Sequence, residues 1–76
     1  MQKRKFICEK HWLKDDEPPM RLCIYEKVEN TKEIVDIYTL YSDEEADEWL
    51  KTMWGVGPSP KEGEQLEFEA FGPAEV

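Results

Sequence analysis

Residues 20–41 read Met20-Arg21-Leu22-Cys23-Ile24-Tyr25-Glu26-Lys27-Val28-Glu29-Asn30-Thr31-Lys32-Glu33-Ile34-Val35-Asp36-Ile37-Tyr38-Thr39-Leu40-Tyr41, and this run decides the fold. In its first part the even positions Met20, Leu22, Ile24 and Val28 alternate with Arg21, Cys23, Tyr25 and Lys27, the period-two pattern of a strand with one buried face. Glu33 to Tyr41 is dense in β-branched and aromatic residues, which suit a pleated surface. Glu29-Asn30-Thr31-Lys32 lies between them and tolerates a bend. The spacing predicts a hairpin centred between Asn30 and Thr31.

In that hairpin Ile24 meets Ile37, Leu22 meets Thr39 and Met20 meets Tyr41 on one face. The other face receives Cys23 opposite Tyr38, Tyr25 opposite Asp36, Arg21 opposite Leu40 and Lys27 opposite Ile34. The face with fewer charges, carrying Leu22, Ile24, Val35 and Ile37, is expected to lie under a helix. Tyr25, Ile34, Tyr38 and Leu40 would then be exposed together as an apolar interface. A bulge that changes the parity of the third strand, or a loop folded over the patch, would undo that assignment.

Downstream, Ser42 followed three residues later by Glu45 forms a capping box at a helix start. Ala46, Trp49, Leu50, Met53 and Trp54 recur at helical spacing, Asp43, Glu44 and Glu45 fill the first turn where the helix dipole favours anions, and Gly55 ends the run. Residues 55–63 hold three Gly and two Pro, so they form a connecting loop. Leu66, Phe68 and Ala70 then alternate with Glu67 and Glu69 as a last strand. Upstream, Phe6, Cys8 and Trp12 share a parity that Arg4 and Lys10 interrupt, an imperfect strand over about residues 3–13. Lys14-Asp15-Asp16-Glu17-Pro18-Pro19 is expected to break the ladder, because proline cannot donate. The expected class is α+β in the order βββαβ, a mainly antiparallel sheet of three or four strands with one amphipathic helix on one face. Residues 1–71 form a single domain in this scheme and 72–76 a flexible C-terminal tail.

A chain of 76 residues buries only about 60 per cent of the surface its unfolded form exposes, which leaves little room for a catalytic cleft. Its net charge of −8 is uneven: residues 1–27 hold seven basic and five acidic groups, residues 28–76 three and thirteen. Such a charge repels nucleic acid and anionic membranes and speeds encounters with basic proteins, so direct nucleic-acid binding is disfavoured. There is no run of eighteen apolar residues and no secretory h-region after Met1, which points to a cytoplasmic protein. The two cysteines, Cys8 and Cys23, have no metal-ligand spacing and opposite parity, and two reduced thiols are expected.

The chemistry of an enzyme finds little raw material. His11 is the single histidine, and Cys8, three residues away, would face the other side of a strand. Ser42 and Ser59 are accounted for by a cap and a proline-flanked loop. Asp15-Asp16-Glu17 and residues 43–48 lack the spacing of a calcium loop, and Gly55-Val56-Gly57 follows a helix where a dinucleotide fingerprint needs a strand. Neither metal nor cofactor is implied, and no enzymatic activity is expected.

The expected function is therefore a non-enzymatic acidic binding module. It would occlude a basic, nucleic-acid-binding surface of a partner protein, with Asp43, Glu44, Asp47, Glu48, Glu67 and Glu69 presenting carboxylates in rows like the phosphates of a duplex. Small phage-encoded inhibitors of host proteins share this size and charge, which is an analogy of build. The competing expectation is a homodimer or adaptor that buries Tyr25, Ile34, Tyr38 and Leu40.

Overall fold

The computed structural model describes residues 3–14 and 17–72. Asp15, Asp16 and all but Gly72 of the expected tail lie outside the described residues. Four strands and one helix follow the order β1 (Arg4–Lys14), β2 (Glu17–Val28), β3 (Thr31–Leu40), α1 (Asp43–Trp54) and β4 (Gln65–Ala70). All pairings are antiparallel and the sheet order is β3-β2-β1-β4, an α+β arrangement.

The helix starts and stops where the sequence places its signals. Ser42 has an extended backbone, and its hydroxyl accepts the Glu45 N–H at 3.1 Å. The Glu45 carboxylate closes the box one residue further back, accepting the Tyr41 N–H at 3.3 Å. Gly55 takes the left-handed conformation at φ 72 and donates its N–H to the Lys51 carbonyl, ending the helix in the conformation glycine adopts without a Cβ clash.

Ala46, Leu50 and Trp54, spaced at four residues, press onto Phe6, Cys8, Met20, Leu22, Ile24 and Leu40 to make the core. Phe6, Trp54 and Phe68 pack ring to ring at its β4 end, with centroids 4.8 to 5.7 Å apart. One charged side chain enters this layer. Lys10 is buried, and its ammonium meets the Asp43 carboxylate at 2.5 Å, so the helix N-terminus is tied to a central strand.

Three features differ from the sequence expectation. The hairpin turns at Glu29-Asn30, with Val28 opposite Thr31, and not between Asn30 and Thr31. Glu29 accepts φ 55 at the first position of this two-residue connection, the positive φ with which a primed turn matches the twist of the strands. Next, Ile24 pairs with Asp36 but Tyr25 pairs with Ile34, so Val35 is an extra residue and β3 carries a bulge. Beyond the bulge, Tyr38 (opposite Leu22) and Leu40 (opposite Met20) turn to the helix side, while Ile37 (opposite Cys23) turns away. Finally, β2 includes Pro18 and Pro19. They fall in the irregular stretch between the pairs Lys14–Glu17 and Trp12–Met20, before β3 joins at Met20, so their missing donors cost the ladder little.

Candidate binding surfaces

The six carboxylates expected to act together divide between opposite sides of the sheet. Asp43, Glu44, Asp47 and Glu48 stand on α1, whereas Glu67 and Glu69 alternate with the inward Leu66, Phe68 and Ala70 and point to the uncovered face. There Glu69 lies opposite Lys5, and Glu67 lies 3.9 Å from the Lys27 ammonium. The rows do not form one surface. The reason is the two-residue period of β4, whose apolar members must face the helix and so turn the glutamates away from it.

The helix retains a concentrated negative face, with Asp43, Glu44, Glu45, Asp47 and Glu48 against the lone Lys51. Three of these carboxylates also hold structure, Glu45 through the capping box. Asp43 pairs with Lys10, and one Asp47 oxygen accepts both the Ser59 N–H at 2.8 Å and the Ser59 hydroxyl at 2.6 Å. Those two bonds hold the Asp47 carboxyl below the usual range and fasten the 55–63 loop to the helix. Glu44 and Glu48, one turn apart, have no hydrogen bond or ion pair among the described residues.

The uncovered face is a polar lattice over a small apolar base. Its hub is Glu9, whose carboxylate receives Gln65 Nε2 at 2.5 Å and Lys32 Nζ at 3.3 Å and lies 3.4 Å from His11 Nε2. Gln65 belongs to β4 and Lys32 to β3, so one carboxylate links the two outer strands across the sheet. The Gln65 hydrogen bond, reinforced by Lys32, lowers the Glu9 pKa. Lys32 also sits 4.7 Å above the Tyr25 ring. Ile7 and Cys23 are buried on this face, with no helix laid over them among the described residues.

The expected apolar interface is broken up by the bulge. Leu40 is wholly buried in the core, and Tyr38 stacks on Trp49 of the helix with centroids 4.9 Å apart and planes 11° apart. Tyr25 and Ile34 do face outward, opposite each other, and Ile37 joins them in place of Leu40. Ile34 and Ile37 are 57% and 47% exposed on an edge strand whose outer backbone has no partner strand among the described residues. The doublet Ile34-Val35, which breaks the polar–apolar alternation of β3, is the sequence signal that marks this change of side. The Glu9 hub carried no such signal, since its partners lie 23 and 56 residues away.

His11 is half exposed, and Cys8 faces the opposite side of β1 in the core, where burial pushes its thiol up to about 12. Burial also raises the Cys23 thiol, and both cysteines are free. Among the described residues no group of three or more His, Cys, Asp or Glu is placed to hold a metal ion, and no helix is long and apolar enough to cross a membrane. No protein-family model, no curated protein and no solved structure matches the chain.

Proposed function

We propose that the protein is a non-enzymatic binding module whose α1 face docks on a basic surface of a partner protein and blocks it, acting as an inhibitor in a reducing, cytoplasmic setting. The single observation that carries this is the segregation of charge. Five carboxylates gather on one helix whose own sequence carries one lysine. On that side of the sheet Lys10 is paired with Asp43 and Arg4 with Glu26, while Lys5, Arg21, Lys27 and Lys32 are on the other side, interleaved with acids. Asp43 and Asp47, pinned by Lys10 and Ser59, fix the helix so that Glu44 and Glu48 are presented at little entropic cost. Recognition is then local charge complementarity at one helix, because Glu67 and Glu69 stand apart from it.

The test is capture of partners from a lysate of the source organism at about 50 mM and about 500 mM salt, since screening shortens from roughly 14 Å to 4 Å over that range. A retained basic protein should be lost at high salt and lost with Glu44→Gln/Glu48→Gln, but kept with Glu67→Gln/Glu69→Gln. Retention that ignores both salt and the helix pair contradicts the proposal.

A second reading is favoured by the exposed Ile34 and Ile37 on edge strand β3: self-association or adaptor binding through the uncovered face. Sedimentation at tens of micromolar, roughly the range in which weak dimers form, separates the two. A dimer that Ile37→Glu dissolves supports it, and a strict monomer removes self-association.

A further inference from the structure

We propose that the groove between α1 and β3 receives an arginine side chain of the partner, an assignment that rests on the acidic-helix reading and gives it a specific anchor. The groove measures about 220 Å³ and is lined by Tyr38, Glu45, Glu48, Trp49, Thr52 and Met53. Small-molecule sites run from about 300 to 1,000 Å³, so this one suits a single side chain better than a cofactor.

Its walls select the chemistry of the occupant. Tyr38 reaches it from the sheet, turned there by the bulge at Val35, and stacks almost parallel on Trp49 from the helix. Met53, one turn further along, extends the apolar side. The rim is acidic: Glu48 is free of intramolecular partners among the described residues, and Glu45 spends one oxygen on the Tyr41 N–H and keeps the other. Asp36 shares the Tyr38 face of β3, two residues away, and no basic residue lines the groove.

An apolar occupant would desolvate these carboxylates without compensation, and an anionic one would be repelled. A cation satisfies both walls, because aromatic faces carry negative potential and carboxylates accept its donors. Stacked on one another, the rings leave only their outer faces and edges to an occupant, which favours a flat cation. A guanidinium lies against an aromatic face while its N–H fork meets a carboxylate, whereas a lysine ammonium is compact and more strongly hydrated.

The experiment is an amide and indole NMR titration of the whole protein with the peptide Gly-Arg-Gly-Arg-Gly and with its lysine counterpart, both acetylated and amidated, at low salt. The arginine peptide should move the Trp49 indole and Tyr38 resonances most and bind about threefold or more tighter than the lysine peptide. Trp49→Leu should weaken it about three- to tenfold, the range expected for a partly desolvated cation–aromatic contact. Glu48→Gln, a substitution at an exposed site that leaves packing intact, should weaken it by a smaller factor and keeps the test open if Trp49→Leu does not fold. Equal affinity for the two peptides, with shifts spread along α1 and the Trp49 indole unmoved, overturns the groove while leaving the acidic-helix proposal in place. Absence of binding by either peptide overturns both.

Discussion

The two faces of the sheet reach burial by different means. On the covered face, Leu22, Ile24 and Leu40 lose all contact with water because a second layer, the helix stripe Ala46, Leu50 and Trp54, is laid over them. On the uncovered face, Ile7 and Cys23 are buried almost as well with no helix above them among the described residues, on a face whose long side chains are linked by Glu9. The first arrangement is apolar apart from the Lys10 ammonium, which Asp43 pairs. The second depends on a carboxylate staying ionised, and it leaves Ile34 and Ile37 at the margin. A short chain can thus close one side of a sheet by packing and the other by a hydrogen-bonded net.

The largest effect expected from this contrast concerns the isoleucines on neighbouring positions of the two faces. Ile24→Ala removes methyl groups from the sealed layer and should cost about 2–5 kcal/mol in urea unfolding, whereas Ile37→Ala should cost less than about 1 kcal/mol. Similar losses at both would mean that the uncovered face is in fact covered.

The buried Lys10 gives an asymmetric pair of variants. Its side chain is 5% exposed and that of Asp43 is 67% exposed, so the two partners differ in what their loss leaves behind. Asp43→Ala strands an ammonium inside the apolar layer and should cost about 2–3 kcal/mol. Lys10→Met replaces it with an apolar chain of similar length and should change stability by no more than about 1 kcal/mol. Equal costs would show that the ion pair is solvated and not part of the core.

On the other face, the Glu9 net should be read out by acid. Its pKa is lowered in the folded state, so its contribution is fully present above the ordinary value of 4.5 and is lost as pH falls through the lowered value. Asp47 acts in the same direction. Glu9→Gln should cost about 1 kcal/mol at neutral pH and flatten the acid limb of the stability profile. An unchanged acid limb would remove Glu9 as the hub.

Much of the architecture was legible because its signals are local. Ser42 and Glu45 mark the helix start, Gly55 its end, and the alternation of Met20 to Ile24 fixes which side of β2 is buried. The side that β3 turns to the helix was not, since an antiparallel partner is positioned by its turn and its bulge, and a shift of one residue exchanges the faces. The extra Val35 moves Leu40 and Tyr38 into the helix layer and Ile37 out of it, whereas the turn at Glu29-Asn30 only slides the pairing by two residues and keeps each side chain on its face. The expected apolar interface of Tyr25, Ile34, Tyr38 and Leu40 rested on that register, whereas the expected carboxylate surface did not. The helix carboxylates were identifiable from a run in sequence, but Glu67 and Glu69 joined them only by assuming that acids of like sign share a side.

The position of β3 therefore underlies both the groove and the open face, and the protein's four isoleucines, Ile7, Ile24, Ile34 and Ile37, report on it together. Their methyl resonances can be followed while a soluble paramagnetic agent is added, at two protein concentrations. Strong relaxation of Ile34 and Ile37, weak relaxation of Ile7 and none of Ile24, the same at both concentrations, is the predicted result. Protection of Ile37 alongside Ile24 would put the third strand in the unbulged register and contradict the account.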